Sequence, residues 1–301
     1  MKTDVLLAFS LFLMPWASFA ADPPWAISLN SPEVFQGGVV EIKVSGRDMA
    51  GVNGFLRNQE IPFFPMEDGS YAALSGVDLE EKPGPMRLII KGWNKGGEER
   101  KESVILHVRE RVFPQEAISV PATFDRIDEA TRKRIEREQA QMARLWVISS
   151  PRRLWGGRFL TPVSGGITSP FGLRRIVNGF PRSPHGGVDL KASLGTEVVA
   201  ANHGRVVLRD EHFFGGRSIV LDHGGGLYTM YFHLDDFHVE KNSQVRKGDL
   251  IGWAGMTGRA SGPHLHWGLR LNGARVDPFE LLEATGSATK IGGSASGGNR
   301  Q

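Results

Sequence analysis

The stretch Gly262-Pro263-His264-Leu265-His266-Trp267-Gly268-Leu269-Arg270 decides how the C-terminal half of this chain is read. A strand turns successive side chains to opposite faces, so the imidazoles of His264 and His266 share one face while Leu265 points to the other. Such a pair can present two nitrogens to one metal ion or one water. Other strand runs surround it: Arg205-Val206-Val207-Leu208, Ser218-Ile219-Val220-Leu221 and Tyr228-Thr229-Met230-Tyr231, with glycine pairs at the turns. Together they predict a compact antiparallel sheet. No dinucleotide-binding or phosphate-loop glycine pattern competes with that reading.

Chemistry-bearing side chains crowd into the same region. Eight of the nine histidines fall between His185 and His266. In His185-Gly186-Gly187-Val188-Asp189 the glycines disfavour a helix and allow tight turning, so the histidine and the carboxylate can converge on one cation. A further histidine stands in Tyr231-Phe232-His233-Leu234. Each motif alone is common by chance; their joint presence in one β region is what points to a site. The chain has no cysteine, which excludes disulfide scaffolds, thiol nucleophiles, iron–sulfur clusters and Cys-ligated zinc. Any site must therefore use His, carboxylate and hydroxyl groups. His203, His212, His223 and His238 read as surface or turn residues, and His107 as a strand residue on a polar face.

Residues 161–280 resemble the LytM/lysostaphin-type zinc metallopeptidases that cut peptide bonds in bacterial peptidoglycan. The resemblance is carried by Ser169-Pro170-Phe171-Gly172 with Arg174, His185 to Leu190, Gly195-Thr196, Gly204-Arg205-Val206, His223-Gly224, Tyr231 to Leu234, Val245 to Asp249, and Gly255 to Gly258 running on to His266. It implies that His185, Asp189 and His266 hold Zn²⁺, and that His233 and His264 flank the water that attacks the peptide bond. Two His and one Asp leave a fourth tetrahedral position open, the pattern of a catalytic zinc site. Glu197 stands where such proteins commonly have proline, and Phe232 where a small residue is common. The activity implied is that of a zinc-dependent endopeptidase acting on peptidoglycan crosslinks or stem peptides. The alternative is a non-catalytic wall-binding protein or an activator of another cell-wall hydrolase; the presence of all five positions argues for catalysis.

Working towards the N-terminus, strand-like alternation recurs from Trp25 to about Val108, in Val39-Val40-Glu41-Ile42-Lys43-Val44, Met86-Arg87-Leu88-Ile89-Ile90 and Val104-Ile105-Leu106-His107-Val108. With 38 Gly and 17 Pro, the 301-residue chain reads as mostly β. The expected division is a signal peptide over 1–20, a β-sandwich domain over 21–110, a linker with a helix over 111–160, an antiparallel β metallopeptidase domain over 161–285 and a disordered tail over 286–301. The helix is expected within 124–147, acidic at its start and basic at its end, as a spacer packed on one domain. Relatives with extra N-terminal regions are often held inactive, which predicts that residues 151 onward alone would cleave faster.

Lys2 ahead of the apolar run Val5–Met14, and Ser18-Phe19-Ala20 before Ala21, read as a secretory signal, placing the mature chain in the periplasm or outside the cell. No later stretch approaches the ~20 apolar residues a membrane span needs. The net charge of +3 is spread as 10 basic against 14 acidic residues over 21–110, 10 against 6 over 111–160, and 15 against 12 over 161–301. No basic stripe interleaved with aromatics appears, so a nucleic-acid partner is not expected.

Overall fold

Alternation at Val40, Ile42 and Val44 sends three side chains to one face of a strand, and all three are buried. The computed structural model of the chain describes residues 25–57, 59–119, 127–146 and 150–287. The N-terminal unit is a pair of facing sheets. One runs in the order Ala26–Leu29, Val39–Ser45, Tyr71–Gly76, Phe64–Pro65. The other runs Glu33–Phe35, Glu99–Arg109, Gly84–Asn94, Met49–Leu56, Gln59–Pro62. Ile42 and Val44 from the first meet Leu88, Ile90 and Leu106 from the second in one apolar cluster, as expected when two half-apolar sheets bury their inner faces.

The C-terminal unit is a ten-stranded sheet. Its main path is Ile167–Ser169, Gly187–Lys191, His264–Leu271, Leu227–Phe237, Gly216–Gly224, Gly204–His212, Gln244–Val245. Leu190, Ile219, Tyr231, Leu265 and Trp267 fill its core. The chain is thus mostly β, with two helices among the described residues, α1 (Glu129–Leu145) and α2 (Pro278–Ser287). None of the described helices is long and apolar enough to cross a membrane. The leader read from sequence over 1–20 lies outside the described residues, as does the tail from 288 onward.

Three features depart from a simple chain of separate domains. Val39 and Leu79 of the sandwich, and Phe113 beyond it, belong to the apolar core of the C-terminal unit. Arg275 is clamped by Asp78 at 2.7 Å and Glu80 at 2.6 Å, and Arg111 by Asp277 at 2.9 Å, so charged pairs frame that shared core. The stretch read as linker also supplies a strand, Gln115–Ile118, pairing in parallel with Arg174–Val177. Finally, α2 stands where the sequence reading has only the end of the β domain, and its last turn runs two residues into the stretch read as tail; Asp277 caps it, accepting from the Phe279 amide at 3.0 Å, and Leu281 and Leu282 anchor it in the core. A glycine and serine composition at 286–287 does not prevent a final helical turn when the preceding leucines are buried.

α1 begins where expected from its polarity. Asp128 caps it by accepting from the Thr131 amide at 2.7 Å, Glu129 lies in its first turn and Arg144 in its last. It packs across the outer face of the large sheet: Met142, Leu145 and Trp146 rest on Leu208, Val220, Tyr228 and Met230. Trp146 meets Tyr228 edge-on at 5.2 Å. None of its side chains is fully buried.

Candidate metal centre

Strand register assembles the site. Asp189 lies opposite His266 on the neighbouring antiparallel strand, and His266 lies opposite Phe232 on the next. Side chains opposite one another share a face, so carboxylate, imidazole and phenyl ring stand in one row. Phe232 stacks on His266 with ring centres 5.4 Å apart and 11° between planes. His185 precedes the first of these strands and is pinned by backbone bonds, its amide to Leu173 O at 3.0 Å and its carbonyl to the Gly172 amide at 2.8 Å. The Ser169 to Gly172 turn acts mainly through its backbone: the Pro170 carbonyl lies 2.9 Å from His185 Nδ1, with the Ser169 hydroxyl further off at 3.4 Å, which fixes the ring and directs Nε2 inward.

His185 Nε2, Asp189 Oδ1 and His266 Nδ1 converge, with separations of 3.0 Å between the two nitrogens, 3.0 Å from His185 to the carboxylate and 2.9 Å from His266 to it. With His185 Nδ1 on the Pro170 carbonyl, its Nε2 faces the carboxylate. Three such atoms at this spacing repel as lone pairs alone, so either a ring N–H or a metal cation must lie among them. Four-coordinate zinc, with bonds of about 2.0–2.1 Å, would set such atoms only slightly further apart, at about 3.3 Å. The donor set and its geometry fit a zinc-type ion, and these three residues form the group able to hold one. Burial works against a charged carboxylate at Asp189, but the bonds from His185 and His266 outweigh it and hold the group well below the usual carboxylate range. Burial lowers the His266 pKa, opposed by its bond to Asp189.

His233 and His264 stand beside this trio. Their rings are 4.7 Å apart, and His264 Nε2 lies 3.8 Å from Asp189 Oδ1. Each has its Nδ1 on a backbone carbonyl, His233 on Thr257 at 2.9 Å and His264 on Gly262 at 2.9 Å. That leaves Nε2 of both available to a reacting group. Burial pushes the His233 pKa down to about 4, so its ring is neutral near pH 7. His233 has a positive φ of 63°, a left-handed conformation costly for a residue other than glycine. It sits where the pairing register shifts between Tyr231 and Leu234, and this irregularity turns its ring towards the trio instead of letting it alternate away.

The other histidines divide. His203 and His238 are exposed, as read from sequence. His223 and His212 are not surface residues. His223 is fully buried, bonded to the His203 carbonyl at 2.7 Å and to the Thr229 hydroxyl at 2.7 Å; burial pushes its pKa down to about 4. His212 is buried against α1 and bonds Gln141 at 3.1 Å. His212 is covered by α1 through Gln141 and His223 by the Phe159 ring, with ring centres 5.1 Å apart; both covering groups are distant in sequence, so local turn chemistry gives no sign of burial. The orienting carbonyls of Pro170, Thr257 and Gly262 were also not singled out, because backbone groups leave no mark on residue type.

The signature of Peptidase family M23 matches residues 183–278, the span that contains all three prospective ligands and both flanking histidines. A crystal structure of a putative peptidase M23 from Pseudomonas aeruginosa is 30% identical, with a TM-score of 0.67, over 85% of this chain and 97% of that one. The chain belongs to peptidase family M23. The likeness to the Pseudomonas structure extends through the N-terminal unit as well as the peptidase unit. Within the M23 portion, the chain is 34% identical over 135 residues to DD-carboxypeptidase/endopeptidase Mpg of Neisseria meningitidis, covering 45% of this chain and 31% of that protein. It is 38% identical over 115 residues to Peptidoglycan DD-endopeptidase ShyA of Vibrio cholerae, covering 38% of this chain and 27% of that protein. The chain thus spans under a third of the length of these two curated M23 relatives.

Proposed function

We propose that this M23 chain is an exported zinc metalloendopeptidase hydrolysing peptide bonds in peptidoglycan crosslinks or stem peptides, in the periplasm or outside the cell. The observation that carries this reading is the convergence of His185 Nε2, Asp189 Oδ1 and His266 Nδ1 to within 3.0 Å of one another, with two further imidazoles alongside. His185, Asp189 and His266 hold the metal. A zinc ion bound there supplies Lewis acidity, making a water nucleophilic near neutral pH and polarising the scissile carbonyl. His233 and His264 share the remaining tasks: one Nε2 takes the proton of the attacking water and delivers it to the leaving amine, while the other ring stabilises the oxyanion. The carbonyls of Thr257 and Gly262 keep both rings turned so that Nε2 meets the substrate. Phe232, stacked on His266, restricts ring rotation and excludes water from that side.

The test is incubation of the purified mature protein, loaded with zinc, with isolated peptidoglycan, followed by mass spectrometry of released fragments. New amine and carboxyl termini at a peptide bond are expected, and a chelator should abolish them until zinc is restored. Tight binding to peptidoglycan with no new termini would favour the alternative of a non-catalytic wall-binding protein or hydrolase activator.

A further inference from the structure

Beside the metal centre, a cleft of about 510 Å³ separates α1 from the outer face of the large sheet. His266 and Arg270 line it, and they lie four residues apart on one strand, on the same face by the two-residue repeat. Gly268 lies between them. A Cβ at Gly268 would sit 2.6 Å from Met230 Cε and 3.6 Å from His266 Nε2, so a side chain there would intrude on the space next to the prospective ligand. The walls are otherwise largely apolar, formed by Met142 of α1, Trp146 at its C-cap and Met230 and Phe232 of the sheet, with Glu138, His212 and Arg275 also reaching the cleft.

Arg270 breaks that apolar character. Its Nη1 donates to the Gly273 carbonyl at 3.0 Å, and its guanidinium lies 5.5 Å from the Trp146 ring centre. Its Nε is buried without a hydrogen-bond partner. Among the described residues no carboxylate makes a salt bridge to it; Asp78 acts on it only from further off and is engaged, with Glu80, by the strand neighbour Arg275. A largely desolvated cation without a counter-ion in contact is costly, and a planar guanidinium is suited to receive a carboxylate.

We infer that this cleft is a substrate subsite that seats a carboxylate-bearing peptide residue, with the apolar part against Trp146, Met142 and Met230 and the carboxylate on Arg270. The inference rests on the proposed peptidoglycan reading. Four residues of strand separate Arg270 from His266, about 13 Å at ~3.3 Å per residue, a span that an extended peptide of about four residues covers. The carboxylate is thus well removed from the bond that breaks, and Arg270 is a binding residue that sets specificity. The glycine at 268 keeps the path between them open, and α1 supplies the opposing wall that shields the ion pair from water.

The test uses the full mature chain loaded with zinc and a peptidoglycan stem pentapeptide in three forms: free acid, C-terminal amide, and side-chain carboxylates amidated. Binding is read by titration calorimetry, and peptide integrity by mass spectrometry on the same samples. The free acid is expected to bind about 10- to 100-fold more tightly than one of the amides, as a charge-assisted bond of this kind implies; which amide loses affinity identifies the carboxylate. Arg270→Met should bring that ratio close to one, Arg270→Lys should leave it intermediate, and zinc content should be unchanged in both. Equal binding of all three forms by the unaltered protein, or an equal loss for all forms in Arg270→Met and Arg270→Lys, overturns the subsite. Acid-selective binding with no cleavage of either the pentapeptide or isolated crosslinked peptidoglycan keeps the subsite and removes the proposed endopeptidase activity; cleavage without selectivity does the reverse.

Discussion

The strands Glu99–Arg109 and His264–Leu271 obey the same two-residue alternation, and each places a histidine on its polar face. In the first, Leu106 and Val108 are buried while His107 and Arg109 face solvent, and Arg109 spends its charge on an exposed pair with Glu33. In the second, Leu265, Trp267 and Leu269 are buried on one side, and the opposite side is covered in turn by α1, the His185 turn and the bulged end of the Leu227–Phe237 strand. Polar alternation therefore marks a face but does not make a site. A site arises where a second layer removes water from the polar face and the register brings donors from other strands to the same spot.

The sharpest way to break this contrast is to remove one ligand. His266→Ala leaves only His185 and Asp189 for the metal, so both zinc content and peptidoglycan hydrolysis should fall to background. His264→Ala keeps three ligands and should retain zinc while turnover drops ~10²–10³-fold, the usual effect of losing one transition-state donor. Zinc stoichiometry measured beside hydrolysis decides this: an empty site in His264→Ala with a full one in His266→Ala would reverse the assignment of roles.

Removing the sandwich is the next largest perturbation. A chain starting at residue 151 lacks Val39, Leu79 and Phe113, and burial of three such side chains is worth roughly 5 kcal/mol or more. Its thermal unfolding midpoint should fall well below that of the full chain. The expectation of faster cleavage by residues 151 onward must then be measured per folded molecule; an unchanged midpoint would show that the two units are energetically independent.

Leu265→Ala probes the buried face between the two histidines. Leu265 is 0% exposed, and creating a cavity there should cost about 2–5 kcal/mol in denaturant unfolding with zinc still bound to the folded fraction. His223 tests a buried histidine that holds no metal. Its folded pKa, about 4, lies below the ~6.5 of an unfolded histidine. The unfolded chain therefore binds the extra proton, so stability is complete above about pH 6.5 and declines as pH falls towards 4. The decline should reach about 2 kcal/mol by pH 5. His223→Gln should flatten this part of the stability curve; the same slope in the variant would assign it to other groups. The smallest effect belongs to the other strand, where His107→Ala should change unfolding free energy by no more than about 0.5 kcal/mol.

Much of the site could be read from the sequence because its parts are local. The spacing of His264 and His266 fixes a shared strand face, and the glycines after His185 allow the turn that lets it approach Asp189. The M23 motifs extend that reading to His233. The helix was legible for a similar reason, since Asp128, Glu129 and Arg144 mark its ends within one short segment. Less legible were the features made by segments far apart. The Arg275 clamp joins residues nearly two hundred positions distant, and Val39 and Leu79 fill a core whose other buried members begin at Phe113, so no local window contains either.

By itself the sequence determined which faces of the strands are polar, where the turns fall and which residue types were available to a metal. Those properties follow from backbone periodicity and side-chain chemistry, which act over a few residues. Only the tertiary structure decided that His185 would meet His266 across the sheet, that a left-handed His233 would join them, and that His223 would be buried as a neutral structural histidine. It also decided that α1 would wall a cleft ending at Arg270, which no carboxylate among the described residues contacts. These depend on register and on the exclusion of water by a second layer, and both are set by packing energies summed over segments that the chain brings together only when it folds.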